Sequence, residues 1–248
     1  MHLTVLGSSS KGNGYILHNA SEVLLIEAGI HFDKVKQALE FDFSKVKGCL
    51  VTHEHKDHSA YMLNYASAGI NIFSSALTFE ASSSSHHNFN PVNHNKNFTA
   101  GNFFITPLRI EHDAAEPFCY IISHPDMGNM LFLTDTFNCR YSFPELKFSH
   151  ILIEANYSMD IINQNLAAGA TRSSKNRILF SHMELGATLS LLRSYVSKLT
   201  QNVVLIHLSD FNSNSEQFKA AAEEICSHPA KVFIATPNLS IPINKNPF

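Results

Sequence analysis

Apolar residues in this chain fall into short blocks separated by glycine, proline and small polar residues. "LTVLG", "YILHN", "VLLIEAG", "GCLVT", "NIFSS", "FFITPLRI", "FCYIIS", "MLFLTD", "HILIEA", "RILFSH", "VVLIHLS" and "KVFIAT" each read as a strand. Apolar positions at helical spacing appear at 32–40, 59–68, 160–168, 185–198 and 215–227. Strands with hairpin-like spacing dominate the first half, and strand and helix alternate in the second. The pattern predicts an α/β fold of mixed sheets with helices outside. No repeat at solenoid periods and no linker interrupts it, so residues 1–248 read as one domain. "SSSSHHNFNPVNHNKN" (82–97) is nearly free of aliphatics and reads as a mobile surface loop, with His86, His87 and His94 solvated.

Composition narrows the classes. At 44% hydrophobic and 16% charged residues the chain is globular rather than disordered. A net charge of −3 excludes a generally basic nucleic-acid coat and leaves only a local basic patch for such a partner. Cys49, Cys119, Cys139 and Cys226 are far apart and form no C-x-x-C pair, which points to reduced thiols and a cytoplasmic location. No apolar run approaches the ~18 residues of a membrane helix. "MHLTVLGSSS" starts directly as a strand, without the basic and apolar segments of a signal peptide.

One stretch carries chemistry. "VTHEHKDHSA" (51–60) packs His53, His55, Asp57 and His58 into six positions, an arrangement that chance produces in roughly two such sequences per thousand. Neutral imidazoles and carboxylates are the usual N/O ligands of Zn²⁺ and its neighbours. "GCLVT" before the cluster reads as a buried strand and "SAYMLNYASAG" after it as a helix capped by Ser59, so the ligands lie on a strand-to-helix loop. Further ligands are sought at other strand ends: His112 in "LRIEHDA", Asp135 in "LFLTDT" and His207 in "VVLIHLSD".

These residues together resemble the metallo-β-lactamase superfamily over nearly the whole chain. The resemblance implies a four-layer αβ/βα sandwich with two metals in the cleft at its edge. His53, His55 and His112 would hold the first metal; Asp57, His58 and His207 the second; Asp135 would bridge them. No cysteine stands at the bridging position and no arginine replaces His58, which speaks for the two-metal hydrolase branch and against an antibiotic-hydrolysing lactamase. "VLGSSSKGNGYIL", "EHDAAEPFCYII", "IEANYS" and "VVLIHLSDFN" resemble the YycJ/WalJ-type branch, described as 5′→3′ DNA exonucleases. The short spans between His112, Asp135 and His207 leave no room for an exosite arm or a β-CASP domain. Glu27 in "LLIEAG" stands where the superfamily usually has aspartate, and is expected to accept a hydrogen bond from a ligand imidazole.

The expected activity is phosphodiester hydrolysis by a hydroxide shared between two divalent ions (Zn²⁺, Mn²⁺ or Fe²⁺) and oriented by Asp57. His182 in "LFSHMELGATL" is the expected general acid, with Glu154 orienting it and holding it protonated. Ser9, Ser10 and Lys11 in "GSSSKGNG", and Arg172, Lys175 and Arg177 in "TRSSKNR", are candidate contacts to the phosphate backbone. DNA is preferred over RNA as substrate. The rival readings are a small ester, lactone or thioester hydrolase and a non-catalytic binding or regulatory protein on the same scaffold. Oligomeric state is left open, a homo-oligomer included.

Overall fold

A computed structural model describes residues 1–169, 178–226 and 229–245. Successive strand residues face opposite sides of a sheet, so a strand covered on both faces must be apolar at nearly every position. That is why blocks such as Val23–Ile26, His150–Glu154 and Asn202–Ile206 do not alternate: they feed two cores at once. His2–Ser9 and Phe103–Arg109, by contrast, alternate between buried and more exposed positions.

Among the described residues, two seven-stranded sheets form. The first contains β1 (His2–Ser9), β2 (Gly12–His18), β3 (Val23–Ile26), β4 (Val46–Leu50), β5 (Ile72–Ser74) and β6 (Phe89–Pro91) in that order. The second contains β7 (Phe98–Ala100), β8 (Phe103–Arg109), β9 (Phe118–His124), β10 (Gly128–Leu133), β11 (His150–Glu154), β12 (Asn202–Ile206) and β13 (Lys231–Ile234). The chain then returns to the first sheet, where β14 (Ser240–Pro242) pairs antiparallel with β1. Each sheet is antiparallel on one side and parallel on the other, with the switch at β3–β4 and at β10–β11.

The sheets pack face to face over Leu3, Val5, Tyr15, Ile26, Leu50, Phe103, Tyr120, Phe132, Leu152 and Val204. Neighbouring strand residues face outward: Leu131, Ile151, Ile153, Val203 and Leu205 meet Leu192, Tyr195 and Phe218. These three lie on α6 (Leu185–Tyr195) and α7 (Ser215–Glu223), which cover the second sheet. On the first sheet, Leu25, Cys49 and Val51 meet Val35, Tyr65 and Phe79. These belong to α1 (Phe32–Ala38), α3 (Met62–Ser67) and α4 (Ala76–Ala81). The result is helix, sheet, sheet, helix.

Several local expectations are corrected. "RILFSH" is no strand: residues 178–181 form a helical turn, in which the His182 amide donates to the Ile178 carbonyl (3.0 Å). β11 is already paired with β10 and β12, so the sheet offers that segment no place beside it. Residues 82–97 are not a free loop, because they contain β6, and His94 Nδ1 accepts from the Arg109 amide (3.1 Å). Ser59 caps no helix start. It closes α2 (Lys56–Ser59), its hydroxyl donating to the Glu54 carbonyl (2.7 Å).

All four cysteines are buried and unpaired. Among the described residues, no helix is long and apolar enough to cross a membrane.

One buried group links stability to pH. His150 opens β11, fully buried, and its Nδ1 lies 3.1 Å from the Asn202 amide nitrogen. Burial holds its pKa down to about 4, against about 6.5 when unfolded. Between those values the unfolded chain binds the extra proton. Stability is therefore intact above pH ~6.5 and falls by about 3 kcal/mol as pH drops towards 4. His150→Gln, which does not titrate, is expected to lose less stability than wild type between pH 6.5 and 4.5 in urea titrations. Parallel losses would remove His150 as the source.

Candidate metal centre

In sheets of this kind the loops at the carboxyl ends of the strands converge on the same edge. Here Glu27 follows β3, Thr52 to His58 follow β4, His112 follows β8, Asp135 follows β10, Glu154 ends β11 and His207 follows β12. Glu27, Asp135 and His207 adopt left-handed backbone conformations (φ 67°, 46° and 54°). Each such turn costs a non-glycine residue on the order of 1 kcal/mol or more and persists only where the surroundings enforce it. It aims each side chain sideways from a strand end into the shared cleft.

Two groups of donor atoms result, each with its members within 4.8 Å of one another: His53, His55, His112 and Asp135, then Asp57, His58, Asp135 and His207. In the first, His55 Nδ1 and His112 Nε2 face each other at 3.1 Å, and the Asp135 carboxylate lies 3.7 Å from His112 and 3.8 Å from His53. His112 Nδ1 donates to the Ser181 carbonyl (2.8 Å), which leaves Nε2 with a lone pair for the cleft. In the second, Asp57 Oδ2 lies 3.2 Å from His207 Nε2 and 3.4 Å from His58 Nε2. Asp135 Oδ2 is 3.2 Å from the same His58 nitrogen.

The electrostatics suit cations. Burial and then the neighbouring imidazoles push His53 well below the ordinary histidine range, so its ring stays neutral. Burial would raise Asp135 and Asp57, but the surrounding imidazoles hold both carboxylates well below their usual range. The cluster thus gathers carboxylate oxygens around imidazoles of two kinds. His53 is held neutral, whereas His58 and His207, which burial alone would lower, are raised above the ordinary histidine range chiefly by Asp135. A cation entering the second group would displace their protons. His53 Nε2 is buried with no hydrogen-bond partner. Such an orphaned nitrogen is costly unless something electrophilic meets it. The cluster therefore fits metal ions by donor chemistry and by this buried nitrogen left without a partner.

The supporting groups are equally defined. Glu27 accepts from the Thr52 hydroxyl (2.6 Å) and amide (3.2 Å), and faces His58 Nδ1 at 3.2 Å. Its longer side chain thus reaches both the loop and a ligand imidazole. Gly29 lets the loop approach: a Cβ there would stand 1.7 Å from the Asp57 carbonyl oxygen. Asn13, which the sequence did not single out, lies with Nδ2 3.1 Å from His58 Nε2 and 3.4 Å from Asp57 Oδ2. Asn156 was missed too, and its amide nitrogen sits 3.2 Å from His207 Nδ1. Asn13 in "KGNG" and Asn156 in "EANYS" both lie inside segments the sequence reading had marked, but nothing local distinguishes them from turn residues.

Beside the two groups stands a third, in which Glu154 and His182 join Asp135 and His207. Glu154 is fully buried and accepts from the Thr136 amide (3.1 Å). Its Oε1 lies 2.7 Å from His182 Nδ1 and 3.4 Å from His207 Nδ1. Burial would lower the His182 pKa, but the Glu154 carboxylate raises it above the ordinary value. Of the expected backbone contacts, Ser9 and Lys11 lie at the β1–β2 turn next to the cleft, and Ser10 is exposed on that turn. Arg172, Lys175 and Arg177 lie outside the described residues.

No family model matches the chain. It is 25% identical over 245 residues to the exodeoxyribonuclease YycJ of Bacillus anthracis, covering 91% of this chain and 89% of that protein. It is 29% identical over 233 residues to the exodeoxyribonuclease WalJ of Streptococcus pneumoniae, covering 86% and 83%. Among solved structures, the metallo-β-lactamase fold protein YhfI of Bacillus subtilis superposes with a TM-score of 0.73 at 17% identity, over 97% of this chain and 98% of that one. Igni18, a metallo hydrolase of Ignicoccus hospitalis, gives 0.69 at 15% identity, over 97% of each chain. The short form of human tRNase Z gives 0.60 at 14% identity, over 98% and 99%. The fold is that of the metallo-β-lactamases, a four-layer αβ/βα sandwich, and the sequence relatives are exodeoxyribonucleases.

Proposed function

We propose that this chain, folded as a metallo-β-lactamase and similar in sequence to exodeoxyribonucleases, is a metal-dependent phosphodiesterase that degrades DNA from its 5′ end. The observation that carries this reading is the convergence of six donors on the shared Asp135 with the His182–Glu154 pair alongside. His53, His55, His112 and Asp135 would hold one divalent ion, and Asp57, His58, His207 and Asp135 a second; Zn²⁺, Mn²⁺ and Fe²⁺ all suit such donors. Ions held there neutralise charge on the phosphodiester oxygens and activate water near neutral pH.

The chain's own residues complete the chemistry. Asp57, close to both His58 and His207, accepts a hydrogen bond from the attacking water and orients it. Glu154 accepts a hydrogen bond from His182 Nδ1 and favours the doubly protonated ring, so that Nε2–H gives its proton to the departing alkoxide. Glu27 braces His58, Thr52 and the ligand loop. Ser9, Ser10, Lys11 and, beyond the described residues, Arg172, Lys175 and Arg177 supply contacts to the phosphate backbone. Buried free thiols support a reducing, cytoplasmic setting.

The test combines elemental analysis with end-labelled substrates. Metal-loaded protein is expected to carry two ions per chain and to release mononucleotides from 5′-accessible DNA faster than from RNA of the same sequence. Cleavage of lactones or thioesters with no nuclease activity under Zn²⁺ or Mn²⁺ would replace this reading with the small-ester hydrolase. Metal binding with no hydrolysis of any of these substrates would favour a binding protein.

A further inference from the structure

Next to the metal cluster, a groove of about 580 Å³ runs between the β1–β2 turn and the segment that follows His207. It begins at the cluster itself, since the Ser8 hydroxyl accepts from the His207 amide (2.8 Å). Its walls are rich in hydroxyls, with Ser8, Ser9, Ser209 and Ser213 among them, and it carries two cations, Lys11 and Lys34. Lys11 reaches across to Asp210 (2.7 Å) although both side chains are solvated. The residue after Asp210 is Phe211, whose ring is 83% exposed, the most exposed large apolar side chain among the described residues. A single exposed aromatic ring is ordinary. What singles out Phe211, which does not itself line the groove, is its place next in the chain to Asp210, the groove's end of the Lys11 ion pair. There its ring offers a face for stacking.

We propose that this groove holds the single-stranded end of the nucleic acid, with Phe211 stacking against a base and Lys11 binding a backbone phosphate. The proposal rests on the phosphodiesterase reading for its substrate class. An exposed ion pair is worth about 1 kcal/mol or less, so a phosphate takes Lys11 from Asp210 at little cost. The Lys11–Asp210 pair is then a latch across the groove, opened by the strand. At about 580 Å³ the groove is of the size that holds a few nucleotides of a flexible strand. Aromatic platforms combined with cations along a groove are how single strands are bound without sequence preference.

The chain contains no tryptophan, so Phe211→Trp installs a unique fluorophore at the proposed platform. In EDTA-treated protein, where hydrolysis does not interfere, a single-stranded oligodeoxynucleotide is expected to quench that tryptophan, and the blunt duplex of the same sequence to quench it far less. By fluorescence anisotropy, Phe211→Ala is expected to weaken single-strand binding about 5- to 140-fold, the range for loss of one stacked base. Lys11→Ala should weaken it and reduce the slope of log affinity against log salt by about 0.7. Asp210→Ala, which frees Lys11, should tighten it by about 1.5- to 5-fold. Single-strand binding without quenching, or binding unchanged in Phe211→Ala and Lys11→Ala, overturns the proposal, as does wild-type protein that binds no single strand. Hydrolysis of bis(4-nitrophenyl) phosphate by metal-loaded wild type tests the phosphodiesterase reading separately. Failure there with intact quenching removes the activity and leaves the groove.

Discussion

Asp135→Asn is expected to empty both metal positions at once. The Asp135 carboxylate is shared by the two donor groups, with Oδ2 3.2 Å from His58 and 3.7 Å from His112. Asparagine is the informative replacement because it tolerates the left-handed backbone that Asp135 adopts (φ 46°). Alanine would add strain to the loss of charge. Elemental analysis after dialysis should find wild type with two ions and the variant with close to none. The variant should also lose the stabilisation that metal confers on wild type, about 2.7 kcal/mol for each ion bound when free metal stands at 100 times its Kd, read as a rise in melting temperature. His207→Ala, which touches only the second group, should keep one ion. One ion retained in Asp135→Asn would refute the bridging assignment.

His182→Ala separates proton delivery from metal binding. His182 belongs to neither of the two four-donor groups proposed to hold metal, and its Nδ1 lies 2.7 Å from the buried Glu154. The variant should hold as much metal as wild type and turn over DNA about 10²- to 10⁴-fold more slowly. The loss should shrink on a nitrophenyl phosphodiester, whose leaving group departs without a proton. Glu154→Gln should reproduce part of the effect and also weaken the second metal, because Glu154 Oε1 lies 3.4 Å from His207 Nδ1. An equal loss on both substrates would remove His182 from the acid role.

The chain's apolar blocks determined the fold class because strands buried on both faces leave a signal every residue contributes to. Eleven of the twelve blocks became strands. The exception, in "RILFSH", was decided by the sheet: β11 and β12 pair directly, and residues 178–181 form a helical turn instead of a strand. Three-residue strands such as β6, β7 and β14 were invisible, since their pairing is supplied by the neighbour and not by their own composition.

The seven candidate ligands were legible because histidines and aspartates at strand ends are chemically unusual there and one group of them is local. What only the tertiary structure decided is how they meet. Left-handed turns at Asp135 and His207 bring residues 72 positions apart to 3.6 Å. Asn13 and Glu27 reach the same imidazole from different strands, at 3.1 and 3.2 Å. Glu154 serves two histidines, where the sequence suggested one. Local sequence encodes which side chains have the right chemistry, because that is a property of single residues. Distance between residues remote in the chain is set by sheet order and backbone turns, and those depend on every strand packing at once.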